Sequence, residues 1–311
     1  MKRLAPVVLA LALVPAGAGA TSGGGTVWAF VSVAGGSRIA VVDVDRGHVV
    51  GTVRVPAGSR EVAATIDARR VLALSPVART VTQLDGATRT VTRTFRGFGR
   101  PAALVLDSGY AYVTDQARGL LDVLDLDRGV VAARVRVGPR PARLTLVNGH
   151  LWVAHRGSPR LAILDASRAG RPVVVDHANA GGPVSDLVEA GDGLSVVVSY
   201  PHSPLLGRIE SVSARLVERR SSGAIVGRIA LDPLRRLWAV SARGGRATIL
   251  SQRLRRLGHV AVPREATALL AEGGFMAVAA RGRLTLIAVG AGWRRAIPVG
   301  RNTGGVAFAV R

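Results

Sequence analysis

The stretch from Tyr110 to Gly149 reads YAYVTDQARGLLDVLDLDRGVVAARVRVGPRPARLTLVNG and contains the pattern from which most of the chain is built. Turn-forming residues divide it into four short runs rich in apolar residues: Tyr110–Thr114, Leu120–Leu124, Val130–Val137 and Ala142–Val147. In the third run Arg134 and Arg136 alternate with valines, which is typical of a strand with one solvent-exposed face. Asn148-Gly149 is a strong tight-turn dipeptide. The stretch therefore predicts four short strands joined by tight connections.

Related units follow one another along the chain at intervals of about 40 residues. The alignment uses an apolar residue near the start of the first strand of each unit: Trp28, Leu72, Tyr112, Trp152, Val197, Trp238 and Met276. The successive spacings are 44, 40, 40, 45, 41 and 38 residues, which gives seven units. A period near 40 residues with four strands per unit is typical of propeller blades. The sequence therefore predicts an all-β, seven-bladed β-propeller of four-stranded antiparallel blades.

The last strand of the chain is predicted to close the ring. In each unit the fourth strand is followed by the first strand of the next unit, but Gly305–Val310 ends the chain and Val27–Val55 has no such strand before it. We therefore expect Gly305–Val310 to pair with the N-terminal blade. Closure of this kind leaves only short, protected sheet edges.

Two side-chain patterns recur with the repeat. An aspartate closes the second strand of four units, at Asp43, Asp85, Asp125 and Asp165, and the chemistry of turns accounts for its recurrence. Trp28, Trp152 and Trp238 share a first-strand position. Interior packing is the favoured interpretation of these tryptophans, with an aromatic ligand platform as the alternative.

The repeat resembles that of the YVTN-family β-propeller proteins, whose consensus runs YVTN, VSVID, a VVATI-type strand, then VG and P. The matching residues are Tyr112–Asp115, Leu121–Asp125, Val130–Val137, Gly138 and Pro141. The match is close in units two to four, recognisable in units one, six and seven, and poor in unit five. Asp115 departs from the asparagine of the family. The resemblance implies an exported propeller and no particular reaction.

The first twenty residues are predicted to be a secretory signal peptide. Lys2 and Arg3 precede the apolar run Leu4–Val14, and Ala18-Gly19-Ala20 is a small-residue cleavage signal. Cleavage near Ala20 would leave residues 21–311 as a single propeller domain that is secreted or held in the cell envelope. The alternative is an uncleaved membrane anchor, for which the apolar run is short. The mature chain contains no other segment that could cross a membrane, and we expect it to be a monomer.

Composition narrows the chemistry further. The chain has no cysteine, which excludes disulfides and thiolate metal sites. The formal net charge is +22, and removal of Lys2 and Arg3 lowers it to +20. Serine-nucleophile motifs, phosphate loops and dinucleotide fingerprints are absent from the sequence, so no cofactor is expected. Nucleic acid is a poor candidate partner because the sequence shows no aromatic stacking platform.

Arginines give the most informative pattern. Four occupy the same register just before the strand that should line the central channel: Arg60, Arg100, Arg140 and Arg264. A second set lies in the loops after the first strands: Arg38, Arg79, Arg118, Arg156, Arg243 and Arg281. In an antiparallel blade both kinds of loop emerge on one face. The pattern predicts an anion-binding face for an acidic protein, an envelope polymer or a small anionic ligand. The alternative is that arginine is simply the solubilising residue of this protein.

A metal site is a further hypothesis. Asp115 and His155 occupy equivalent positions in adjacent units, and His202 lies near that position in the next unit. Carboxylate and imidazole are suitable ligands for a divalent cation, although no local metal-binding spacing accompanies them. Two functions follow: a non-catalytic binding or scaffold module that uses the arginine face, or a metal-dependent propeller enzyme of the lyase or lactonase type.

Overall fold

The structure is a computed structural model, which describes residues 26–33, 37–241, 245–266, 268–272, 275–289, 293–300 and 303–310. These residues form 28 strands arranged in seven antiparallel sheets of four strands each, and no helix occurs among them. The predicted seven-bladed β-propeller is therefore confirmed. The predicted signal peptide, residues 1–20, lies outside the described residues. The described part of the chain offers no helix of the length and apolarity that a membrane crossing requires.

The strands follow one another regularly along the chain. Blade one contains β1 (Val27–Val33), β2 (Arg38–Asp43), β3 (His48–Arg54) and β28 (Thr303–Val310). Blade two contains β4 (Glu61–Ala64), β5 (Val71–Ser75), β6 (Thr80–Asp85) and β7 (Thr90–Phe95). Blade three contains β8 (Pro101–Asp107), β9 (Tyr110–Asp115), β10 (Leu120–Asp125) and β11 (Val130–Arg136). Blade four contains β12 (Pro141–Val147), β13 (His150–His155), β14 (Arg160–Asp165) and β15 (Val173–Asn179).

The remaining three blades repeat this order. Blade five contains β16 (Asp186–Glu189), β17 (Ser195–Ser199), β18 (Leu205–Glu210) and β19 (Leu216–Ser221). Blade six contains β20 (Val226–Leu231), β21 (Leu237–Ser241), β22 (Arg246–Leu250) and β23 (Arg256–Ala261). Blade seven contains β24 (Ala268–Glu272), β25 (Phe275–Ala280), β26 (Arg283–Ala288) and β27 (Arg294–Pro298).

The C-terminal strand closes the ring as predicted. β28 pairs antiparallel with β1, with Trp28 opposite Ala309 and Phe30 opposite Ala307. It is the innermost strand of blade one, and it lies beside the inner strands β4 and β24 of the two neighbouring blades. Both ends of the chain therefore contribute to one sheet, and blade one has four strands like the other blades.

Seven apolar clusters, one between each pair of adjacent blades, form the core. Trp28, Trp152 and Trp238 lie in three of these clusters, and all three are buried. The interior packing predicted for the tryptophans is therefore confirmed. The middle strands are buried on both faces, whereas β11 alternates between exposed and half-buried residues, as its arginine pattern predicts.

The predicted turns have the expected geometry. Asn148 and Gly149 both have positive φ angles, 47° and 73°, which is the requirement of the tight hairpin that joins β12 to β13. The carboxylate of Asp125 accepts hydrogen bonds from the backbone N–H groups of Asp127 at 3.0 Å and Arg128 at 2.9 Å. Asp43, Asp85 and Asp165 likewise accept a backbone N–H two or three residues further along the chain. The recurring aspartates therefore stabilise turns.

The buried carboxylate of Asp122 in blade three has a raised pKa. Asp122 lies in the middle strand β10, and its Oδ1 accepts a hydrogen bond from Nε of Arg134 at 3.0 Å. Burial and the nearby charge of Asp115 raise the pKa of Asp122 above its ordinary value, and the bond from Arg134 only partly opposes this. The unfolded chain is therefore the stronger acid at this position. Folding stability should fall as the pH rises from the ordinary aspartate pKa through the raised value.

We accordingly expect Asp122→Asn to raise the urea midpoint of unfolding at pH 7. The asparagine keeps an oxygen for Arg134 and removes the cost of a buried charge. Urea unfolding between pH 4 and pH 8 measures the effect, with the exposed Asp176→Asn as the matched control. If the urea midpoints of Asp122→Asn and the parent protein differed by the same amount at pH 4 and at pH 8, this account would be contradicted.

Candidate anion-binding site

The loops that carry the predicted arginines emerge together at one end of the channel. Strand order places the loop before each inner strand and the loop after the next strand on the same face. A cavity of about 580 Å³ opens there, and we call it the mouth. Arg60, Arg100, Arg140 and Arg156 line it, and we call these residues the mouth arginines. All four are exposed, and none has a carboxylate partner within the described part of the chain.

The other predicted arginines do not join them. Arg243 lies outside the described residues. The described ones that fall outside the lining of the mouth are Arg38, Arg79, Arg118, Arg264 and Arg281. Arg118 donates to the carbonyl of Gly97, and Arg281 donates to the carboxylate of Glu265. Of the nine predicted arginines that the structure describes, four line the mouth, and all four come from blades two to four.

The mouth is also lined by two arginines that the sequence pattern does not single out. Arg143 lies in β12 and Arg228 in β20, the inner strands of blades four and six. Each follows a register shift, between Pro141 and Arg143 in one strand and between Val226 and Arg228 in the other. A β-bulge changes the direction of the side chains that follow it. Alternation along the strand alone could not show this, so these residues read as ordinary strand positions.

Arg143 joins two carboxylates across the channel. Its Nη1 lies 2.7 Å from Oε1 of Glu61 in blade two, and its Nε lies 3.6 Å from Oδ1 of Asp186 in blade five. Burial opposes the charge on Arg143, but Asp186 and then Glu61 outweigh it, so the pKa of the guanidinium is raised above its ordinary value. Oδ2 of Asp186 also accepts the backbone N–H of Ile229 at 3.1 Å. We call Glu61, Arg143 and Asp186 the channel triad, and it connects blades two, four, five and six.

Glu61 and Glu265 each follow a register arginine in the sequence, but neither pairs with it. Glu61 pairs with Arg143, which is 82 residues away, and Glu265 pairs with Arg281. Arg60 and Arg264 therefore keep their charges uncompensated by these neighbours. Arg60 precedes β4, which begins at Glu61, whereas Arg264 and Glu265 both lie in the turn before β24.

The three candidate metal ligands are not assembled into a site. Asp115 is buried, and its carboxylate accepts hydrogen bonds from the backbone N–H groups of Gly99 at 2.6 Å and Arg100 at 2.9 Å. The ring nitrogens of His155 lie 2.9 Å from the carbonyl oxygen of Val137 and 3.1 Å from that of Arg160. His202 is exposed. Within the described ranges no group of three or more histidine, aspartate or glutamate side chains is placed to hold a metal ion.

Asp115 instead fixes the mouth. Its Oδ1 and Oδ2 together hold the loop that precedes β8, and its Oδ1 also accepts the N–H of Ala117 at 3.1 Å. The backbone of Arg100 is therefore bound directly, which positions one of the mouth arginines. His155 has a comparable position in blade four, next to Arg156. Asp115 and His155 therefore do occupy equivalent positions in adjacent blades, and their side chains bind the backbone of nearby loops.

A second, narrower cavity of about 260 Å³ lies below the mouth, inside the channel. Residues of the inner strands line it, including Leu104, Leu144 and Ile229. Four charged residues line both cavities: Arg60, Glu61, Arg143 and Arg228. The mouth therefore continues into the channel, and we call the level at which these four residues lie the waist.

Comparison with known proteins identifies the fold and goes no further. No family model and no curated protein matches the sequence. Apo AztD from Citrobacter koseri superposes with a TM-score of 0.73 at 10% identity over 92% of this chain and 98% of that one. A functionally unknown protein from Desulfotomaculum acetoxidans gives 0.78 at 13% identity over 91% and 98%. Streptogramin B lyase gives 0.64 at 13% identity over 76% and 82%. Because proteins with this fold carry unrelated activities, the residues of the mouth are a better guide to function than the fold is.

Proposed function

We propose that this protein is an exported, non-catalytic binding module that holds anionic ligands or partners at the mouth. One observation supports the proposal above all: Arg60, Arg100, Arg140 and Arg156 come from three consecutive blades and line one recessed cavity. Glu61 is the one carboxylate among the described lining residues, against six arginines. Such an excess of positive charge attracts anions before contact.

The residue type suits the task. Guanidinium groups remain charged at every physiological pH and offer planar pairs of donors that match carboxylate and phosphate. The volume of the mouth, about 580 Å³, falls within the range of small-molecule sites. An acidic segment of a protein, an envelope polymer or a small anion could each present suitable groups.

The test is the simultaneous replacement of Arg60, Arg100, Arg140 and Arg156 by glutamine. We expect the affinity for tripolyphosphate and for poly-L-glutamate to fall by about 30-fold, or about 2 kcal/mol, and the salt dependence of binding to become weaker. Calorimetry across a series of NaCl concentrations measures both quantities.

The matched control replaces four exposed arginines in the β14–β15 and β22–β23 loops of the opposite face: Arg168, Arg171, Arg253 and Arg255. This variant loses the same net charge but leaves the mouth intact. Equal losses of affinity in the two variants would show that total charge, and not the mouth, governs binding. Metal analysis of the purified protein belongs to the same experiment, since a stoichiometric divalent cation would favour the enzyme hypothesis.

Export and the finer family assignment are parts of this proposal. The signal-peptide pattern at residues 1–20 supports secretion or a location in the cell envelope. The residues that resemble the YVTN repeat lie in β9 to β12, in the positions that a blade requires. Mass determination of the N-terminus of the exported protein tests the cleavage near Ala20.

A further inference from the structure

Arg228 has an unusual position at the waist. Its side chain is half-buried and lines both the mouth and the channel cavity. It occupies the same place after a bulge in β20 as Arg143 does in β12. Arg143 is bound by two carboxylates, whereas Arg228 has no carboxylate partner among the described residues. Its guanidinium donors are therefore available within a recess.

An unpaired, partly buried charge carries a cost that a bound anion would remove. Removing a guanidinium from water is unfavourable unless an opposite charge or hydrogen-bond acceptors replace the water. Arg60 lies at the same level and is also unpaired within the described structure. The two arginines come from blades two and six, so an anionic group between them would lie in the channel and not at the rim.

The linings of both cavities limit the rest of the ligand. Between the arginines they present mostly small or aliphatic residues such as Pro101, Ala142 and Val184. The two carboxylates of the linings, Glu61 and Asp186, are both paired with Arg143. No aromatic ring lines either cavity in the part of the chain that the structure describes, so a nucleobase or another aromatic group finds no surface on which to stack. The two cavities therefore suit a compact ligand without aromatic rings.

We propose that the waist is a second anion subsite, with Arg228 as its principal residue, and that the ligand is a compact polyanion of linked phosphates or several carboxylates. One anionic group binds the mouth arginines and another reaches Arg228. This inference rests on the proposed function, because the first group needs the mouth. Linked phosphates occur both in small molecules and at the ends of polymers, and the two sources call for separate measurements.

The experiment compares tripolyphosphate with inorganic phosphate by calorimetry. For the parent protein we expect tripolyphosphate to bind much more tightly. For Arg228→Gln we expect about a tenfold loss of tripolyphosphate affinity, the size of one charge-assisted hydrogen bond, and less than a twofold change for inorganic phosphate. Arg228→Lys keeps the charge and should recover most of the loss. Thermal unfolding of each variant confirms that the fold is intact.

Arg264→Gln is the matched control, since Arg264 lies on the same face before β24 but lines neither cavity. Equal losses for both probes in Arg228→Gln, or no loss for tripolyphosphate, would overturn the waist subsite and leave the mouth proposal standing. Failure of the parent protein to bind any of tripolyphosphate, inorganic phosphate and poly-L-glutamate would overturn both proposals. Binding of poly-L-glutamate alone would overturn only the waist subsite. Long-chain polyphosphate with the same dependence on Arg228 identifies a chain end as the occupant. If long-chain polyphosphate binds independently of Arg228 while tripolyphosphate still depends on it, the occupant is a small molecule.

Discussion

A chain that ends at residue 302 will lose cooperative folding, because it lacks β28 (Thr303–Val310). Without this strand the N–H and C=O groups of β1 that face the channel have no partners, and the cluster between blades seven and one loses Val306 and Phe308, both of them buried. Burial of each large apolar side chain contributes about 1.5–3 kcal/mol. Together with the lost strand pairing, the deficit reaches about 5 kcal/mol or more, which is comparable to the whole stability of a typical domain.

Urea unfolding monitored by tryptophan fluorescence and circular dichroism measures this effect. Phe308→Ala is the milder version, with an expected loss of about 3 kcal/mol. A circular permutant that places residues 303–310 before β1, joined to it by a two-residue turn, retains the pairing of the strand while changing the connectivity, and we expect it to fold. If the truncated chain unfolded at the same urea concentration as the parent protein, the pairing of β28 with β1 would contribute nothing to stability.

The architecture follows from the sequence because its determinants are local and repeated. Runs such as Leu120–Asp125 are short, apolar and bounded by turn residues, and each has the same role in every blade. Blade five shows the limit of this reasoning. Its repeat pattern is poor, yet β17 (Ser195–Ser199) is buried throughout and pairs like the equivalent strands. Burial between two neighbouring blades tolerates any residue of suitable size, so the fold persists where the motif does not.

The site is less accessible to sequence reasoning than the fold. The register of Arg60, Arg100 and Arg140 predicts the face on which they lie, because loop position sets that face. It does not predict which of them meet, since Arg264 shares the register and lines neither cavity. Arg143 and Arg228 were missed because their direction depends on bulges, which the sequence does not reveal. The partner of Glu61 lies 82 residues away in Arg143, because adjacency in sequence says little about which charges face each other across a closed ring.

Replacement of Arg143 by methionine will destabilise the protein by about 3 kcal/mol. The substitution removes the cation that lies 2.7 Å from Glu61 and 3.6 Å from Asp186. The exposed fractions of the three side chains are only 26% for Arg143, 25% for Glu61 and 10% for Asp186. Two carboxylates then face the channel without a counter-charge. The volume of the side chain is largely kept, so the loss reports the charges and not a cavity. Urea unfolding at pH 7 measures the loss.

The triple variant Glu61→Gln, Arg143→Met, Asp186→Asn separates the two contributions. It removes every charge of the channel triad and keeps an oxygen at residue 186 for the N–H of Ile229. Since removal of a whole buried ion cluster costs far less than removal of one partner, we expect the triple variant to recover most of the stability lost by Arg143→Met. If the triple variant were instead the less stable of the two, the triad would stabilise the ring by its attraction. The stabilising attraction alone would then explain why the protein keeps the channel triad. Recovery of stability in the triple variant would instead leave the waist charges to be explained by what they bind.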